Sequence, residues 1–96
     1  MNPATAALSQ RDAILDIAAR HGVGEVLVFG SAARGDSREG SDLDLLVEVT
    51  GPTSPWFPGG LIADLEALLG CRVDIAERRS LDPRLLDMIL RDARPL

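Results

Sequence analysis

Apolar positions recur along the chain with two different periods, and the switches between them mark its elements. Ala13, Ile14, Ile17, Ala18 and His21 fall at helical spacing, with Gly22 following as a stop. The run Val26-Leu-Val-Phe29 is continuous and ends at Gly30, which predicts a short buried strand over about 25–29. Ala32-Ala-Arg34 favours a helical turn closed by Gly35, and residues 36–40 form a polar loop. From Asp42 polar and apolar residues alternate and then merge into Leu45-Leu-Val47, predicting a second strand over about 42–49. Residues 50–60 hold Gly51, Pro52, Pro55, Pro58, Gly59 and Gly60 and read as a loop. Leu61, Ile62, Leu65, Leu68 and Leu69 then mark a helix that Gly70 ends, and residues 71–76 alternate as a third strand. Asp82-Pro83 opens a last helix, with Leu85, Leu86, Ile89 and Leu90 as its apolar positions.

Upstream, residues 1–7 predict a frayed leader. Ser9-Gln-Arg-Asp12 resembles a capping box, with Leu8 placed to staple against Ala13. The resulting order of helix, strand, short helix, strand, helix, strand, helix predicts an α/β (α+β) fold, one small mixed sheet backed by helices. Whether the first two strands pair antiparallel or mixed is open, because their spacing allows both.

Composition narrows the class. With 96 residues, 46% of them apolar, residues 1–96 are expected to form one small domain with a modest core. The four-residue run at Val26 is far short of a membrane span, and the first residues lack the basic and apolar regions of a signal peptide. A single cysteine, Cys71, excludes an internal disulfide framework, and the expected location is the cytoplasm. Fifteen acidic residues face ten arginines and no lysine, a net charge of −5, so direct nucleic-acid binding is not expected. The arginines concentrated toward the C-terminus alternate with acids and read as a solvated face. His21, the only histidine, reads as a capping or surface residue at a helix end, and Cys71 as an inert strand residue. Trp56 and Phe57 could fold back onto the core or stand out as an anchor for a partner.

The chemistry concentrates between Phe29 and Asp44. Gly30 lets another group come close to the backbone, and Ser31 begins a turn whose N–H groups can meet an anion. On a strand, Asp42 and Asp44 project from one face while Leu43, Leu45 and Val47 face the core. Their Cβ atoms then lie roughly 6.5 Å apart, close enough for both carboxylates to lean onto one cation or a metal pair. Two unpaired aspartates so placed repel each other, and a divalent cation removes the conflict. A phosphate-accepting turn on one strand and paired carboxylates on the next suit Mg²⁺ and a nucleoside triphosphate.

Phe29-Gly-Ser-Ala-Ala-Arg-Gly35, Ser41-Asp-Leu-Asp-Leu45 and Val73-Asp-Ile75 together resemble the minimal nucleotidyltransferases (MNT) of the DNA polymerase β superfamily. The resemblance is nearest to the MNT antitoxins that pair with HEPN toxins in prokaryotic toxin–antitoxin modules, and it covers nearly the whole chain. It implies that Gly30 and Ser31 cradle the β- and γ-phosphates of ATP. It further implies that Asp42, Asp44 and Asp74 hold two Mg²⁺ ions, with Asp74 also a candidate general base. Arg34 either neutralises phosphate charge or pairs with Asp36 or another acid to shape the loop. By the same resemblance the partner is a HEPN-domain toxin, which receives AMP on a hydroxyl, expected to be a tyrosine. This chain has no tyrosine on which such a reaction could be diverted. The alternatives are an antitoxin that masks its toxin by contact alone, and a nucleotidyltransferase acting on a small molecule or an RNA end.

Overall fold

The computed structural model describes residues 2–96. Its elements are α1 (Pro3–Ser9), α2 (Arg11–Arg20), β1 (Val23–Phe29), α3 (Gly30–Arg34), β2 (Leu43–Val49), α4 (Gly59–Leu69), β3 (Val73–Glu77), a 3₁₀ turn (Arg78–Ser80), α5 (Pro83–Asp92) and β4 (Arg94–Pro95). One mixed sheet runs in the order β3-β2-β1-β4. The pairing left open by the sequence is antiparallel between β1 and β2, whereas β2 and β3 run parallel. The short β4 pairs antiparallel with the outer edge of β1, opposite Leu27 and Val28.

Strand alternation sorts the two faces of the sheet. Val26 and Val28 of β1, Leu43, Leu45 and Val47 of β2, and Val73 of β3 point to one side. There they meet Ile14 and Ala18 from α2 and Leu61 and Leu65 from α4 in one cluster of buried side chains. Leu43, Leu45, Ile14 and Leu61 are completely buried, so truncating any of them to alanine is expected to cost about 2–5 kcal/mol. The opposite face carries Phe29, Asp44 and Asp74 at one rung and Leu27, Leu46 and Ala76 at the next. No residue of α5 is fully buried, and Leu85 and Met88 stand 46% and 61% exposed.

Several local expectations are corrected. The frayed leader is a helix from Pro3 onward, capped by Asn2, whose side chain accepts from the Thr5 N–H at 2.9 Å. Pro3, Ala6 and Ala7 bury enough apolar surface to hold it; Met1 lies outside the described residues. Ser9 closes α1, with its hydroxyl donating to the Ala6 carbonyl, and the N-cap of α2 is Gln10, which makes no side-chain cap. Leu8 is 70% exposed and forms no staple, because the chain turns between two helices there and does not enter α2 from an extended segment. β2 and β3 each begin later than expected, at Leu43 and Val73, which leaves Asp42 and Cys71 just outside their strands. The loop aromatics divide: Phe57 packs against the core, while Trp56 is 83% exposed. His21 sits at the C-cap of α2, as expected, and its Nε2 lies 2.8 Å from Asp64 Oδ2 on α4. Among the described residues no helix is long and apolar enough to cross a membrane.

Candidate functional site

The rung Phe29–Asp44–Asp74 organises the site. Asp44 is the residue directly across from Phe29 in the antiparallel pair and directly beside Asp74 in the parallel one. Immediately after Phe29 the chain leaves the sheet through Gly30, whose φ of 68° is in the left-handed region. A Cβ built on Gly30 would run into Asp44 Oδ2, with Asp44 Cγ 3.2 Å away. Glycine is therefore required twice over, once by the backbone and once by the carboxylate packed against it. Ser31 follows in the first turn of α3, so the Gly30-Ser31 turn and the Asp44 carboxylate are in contact across the strand pair.

The three aspartates predicted from sequence come together at this end of the sheet. Burial first, then the charges of Asp74 and Asp42, push the Asp44 carboxyl above the ordinary carboxylate range, while Arg34 pulls it back. Asp42, one residue before β2, has Arg72 Nε at 4.0 Å from its Oδ1; Asp74 is exposed. The donor set is oxygen-only, negatively charged and open to solvent, which suits a hard ion such as Mg²⁺ that retains waters and phosphate oxygens as ligands. Among the described residues no group of three acidic, histidine or cysteine side chains is arranged to hold a metal ion by itself. The carboxylates thus fit an ion whose shell a substrate completes better than a structural metal.

Arg34 ends α3, and its Nε and Nη1 are each engaged by a carboxylate. Nε lies 3.5 Å from Asp36 Oδ2 and Nη1 lies 3.3 Å from Asp92 Oδ2. The Asp36 contact is a pairing the sequence offered and leaves the phosphate role open; the Asp92 contact, from α5, was not visible in the sequence because 58 residues separate the pair. A second residue beyond sequence reasoning is Glu66 on α4. Its Oε2 accepts the Val73 N–H at 3.0 Å, fixing the start of β3 one residue before Asp74. The Leu43 N–H donating to the Arg72 carbonyl at 2.8 Å ties the starts of β2 and β3 together. Only a carboxylate facing a strand start across one helix–strand connection could have hinted at Glu66. Cys71 is half-buried, and its thiol is pushed up by burial, then by Glu66 and Asp42, which keeps it protonated as an inert residue.

Comparison with known proteins agrees with this geometry. The nucleotidyltransferase domain family matches residues 11–96. The Methanocaldococcus jannaschii protein MJ0435 is 40% identical over 80 residues, 83% of this chain and 86% of its own length. Protein adenylyltransferase MntA of Thermococcus cleftensis is 42% identical over 73 residues, 76% of this chain and 74% of its own. A solved minimal nucleotidyltransferase superposes with a TM-score of 0.84 at 47% identity, covering 97% of this chain and 95% of that one. The MNT antitoxin crystallised with the tri-AMPylated HEPN toxin of Shewanella oneidensis shares the fold, with a TM-score of 0.70 at 17% identity over 92% of this chain and 69% of that one. The chain is a nucleotidyltransferase, and by a match that spans α2 to β4 it belongs to the nucleotidyltransferase domain family.

Proposed function

We propose that this chain transfers AMP from Mg²⁺–ATP to a hydroxyl, a tyrosine, of a cognate HEPN-domain toxin and thereby neutralises it. The observation that carries the reading is the shared rung. Asp44 and Asp74 stand side by side, and the Gly30-Ser31 turn presses against the Asp44 carboxylate. Carboxylates and an anion-accepting turn in contact are useful together only if a cation and a phosphate chain meet between them. Relatives at about this similarity are named as protein adenylyltransferases, which supports a protein acceptor.

In this mechanism Gly30 and Ser31, where the chain leaves β1 and enters α3, receive the β- and γ-phosphates beside the Asp44 carboxylate. Asp42, Asp44 and Asp74 would hold Mg²⁺, two ions in this reading, which when bound would neutralise charge on the phosphates and lower the pKa of the attacking hydroxyl. Asp74, exposed on the edge strand, takes the proton from the acceptor hydroxyl as its oxygen bonds to the α-phosphorus. The bond from that phosphorus to the bridging oxygen breaks, and pyrophosphate leaves with its charge balanced in part by Arg34. Asp44 contributes as an ionised ligand, and its tendency to hold a proton is what cation binding must overcome.

The masking antitoxin is kept as a second reading because Trp56, Leu85 and Met88 offer exposed apolar contacts that need no chemistry. One experiment separates the two. The chain is incubated with its HEPN partner, ATP and Mg²⁺, and both proteins are weighed by mass spectrometry. Transfer predicts that the partner alone gains one or more AMP groups and stays inactive after separation, and that Asp74→Asn abolishes both effects. No mass gain, with toxin activity returning on separation, would establish masking instead.

A further inference from the structure

Arg34 is the arginine that Asp44 senses, and it is oriented from two sides. Asp36, two residues on, takes Nε, and Asp92, in the last turn of α5, takes Nη1. All three side chains are 42–69% exposed, so neither ion pair contributes much to stability. Orientation is another matter. A guanidinium is a planar fork of five N–H donors, and two directed contacts fix its plane while leaving donors on the Nη2 side unspent. Among the described residues, Arg34–Asp92 is also the one ion pair joining α5 to the rest of the chain. Because α5 buries no side chain fully, its position beside α3 rests on shallow contacts, and this pair is the specific one.

We propose that Asp92 is a positioning residue for nucleotidyl transfer: from α5 it holds the Arg34 guanidinium, with Asp36, so that its free N–H edge meets the triphosphate beside Gly30, Ser31 and Asp44. The inference rests on the function proposed above and adds α5 to the nucleotide site. Asp92 itself touches neither substrate nor ion. It acts through Arg34, and its removal leaves the arginine tied only to a neighbour in its own loop, free to swing with that loop.

The test is calorimetric binding of Mg²⁺ with α,β-methylene-ATP to the full chain, in parallel with thermal unfolding. Asp92→Ala is expected to weaken affinity about five- to tenfold, as for a charge-assisted contact whose geometry is lost, and Asp92→Glu to restore it to within about twofold. Arg34→Ala should weaken binding at least as much, and Asp92→Ala should then add nothing in the Arg34→Ala background, because the two act as one unit. Should Asp92→Ala fail to fold, Asp92→Asn, which keeps the shape, reads the same quantity. A lower melting temperature with unchanged affinity would make Asp92 a structural brace and overturn the proposal. Tighter binding by Asp92→Ala would make it a competitor for Arg34 and overturn the proposal too, as would an equal loss with and without Arg34. If the unsubstituted chain takes up no Mg²⁺–nucleotide, the proposed function fails and this inference with it. If it does and the Asp92 variants match it, the inference alone fails.

Discussion

Replacing Gly30 by alanine tests the contact between the turn and the carboxylate directly, because the chain carries its own control. Gly30 opens α3 and Gly35 caps its end, with φ of 68° and 81°, so a side chain at either suffers the same left-handed backbone penalty, about 1–2 kcal/mol. They differ in surroundings. Nothing lies within 4 Å of a Cβ on Gly35, whereas one on Gly30 collides with Asp44 Oδ2 and stands 3.2 Å from its Cγ. Driving a packed group aside adds about 1–3 kcal/mol, so Gly30→Ala should cost about 3 kcal/mol in all. At about 4–8 °C per kcal/mol for a chain of this size, that is a fall in Tm of roughly 12–24 °C, against about 4–16 °C for Gly35→Ala. Differential scanning calorimetry without metal measures both. The double variant Gly30→Ala/Asp44→Ala isolates the collision, since it leaves only the Asp44 Cβ, 3.4 Å away and able to give. Its Tm should recover toward that of Gly35→Ala. Equal melting of the two single variants, or no recovery in the double one, would refute the claim that Gly30 is glycine because of Asp44.

Three further outcomes are expected. In metal-free protein the raised Asp44 carboxyl holds its proton more tightly folded than unfolded, so stability falls as pH rises from below the ordinary carboxylate value through the folded one. Asp44→Asn should therefore melt higher than the parent chain at neutral pH, with the gap closing in acid, and a gap of constant size across a pH series would contradict this. Mg²⁺ and ATP together should raise Tm well beyond either alone, by the equivalent of about 2.7 kcal/mol at a hundredfold excess over Kd; a shift indifferent to Mg²⁺ would count against the carboxylate-held cation. Glu66→Ala should cost about 1–3 kcal/mol in a denaturant titration by orphaning the Val73 N–H, and should lower turnover by loosening Asp74, whereas unchanged turnover would free Asp74 from that support.

What the sequence made legible follows the reach of its signals. Alternation in Asp42-Leu-Asp-Leu placed Leu43, Leu45 and Val47 in the core and Asp44 on the opposite face, because the two-residue period of a strand is local and strict. The Gly30-Ser31 turn, the stop at Gly70 and the cap at Asp82 were legible for the same reason. Residues 2–9 were misread because short helices held by tertiary burial carry little propensity of their own. Two residues of edge pairing at Arg94–Pro95 leave no period at all. At the site, contacts made within a few residues could be anticipated, such as Arg34 with Asp36, but those of Asp92 and Glu66 depend on how helices pack on the sheet.

The rung that joins Phe29, Asp44 and Asp74 has a consequence for how the chain can fail. The alternation that turns Asp44 outward is the one that turns Leu43, Leu45 and Val47 inward, so a slip of β2 by one position exchanges the two sets. Such a slip would bury a carboxylate among apolar side chains and take three fully buried ones out of the core. A misregistered chain is therefore not expected to persist as a folded protein whose carboxylate site alone is broken. Errors in strand pairing are eliminated as instability before they could appear as faulty chemistry.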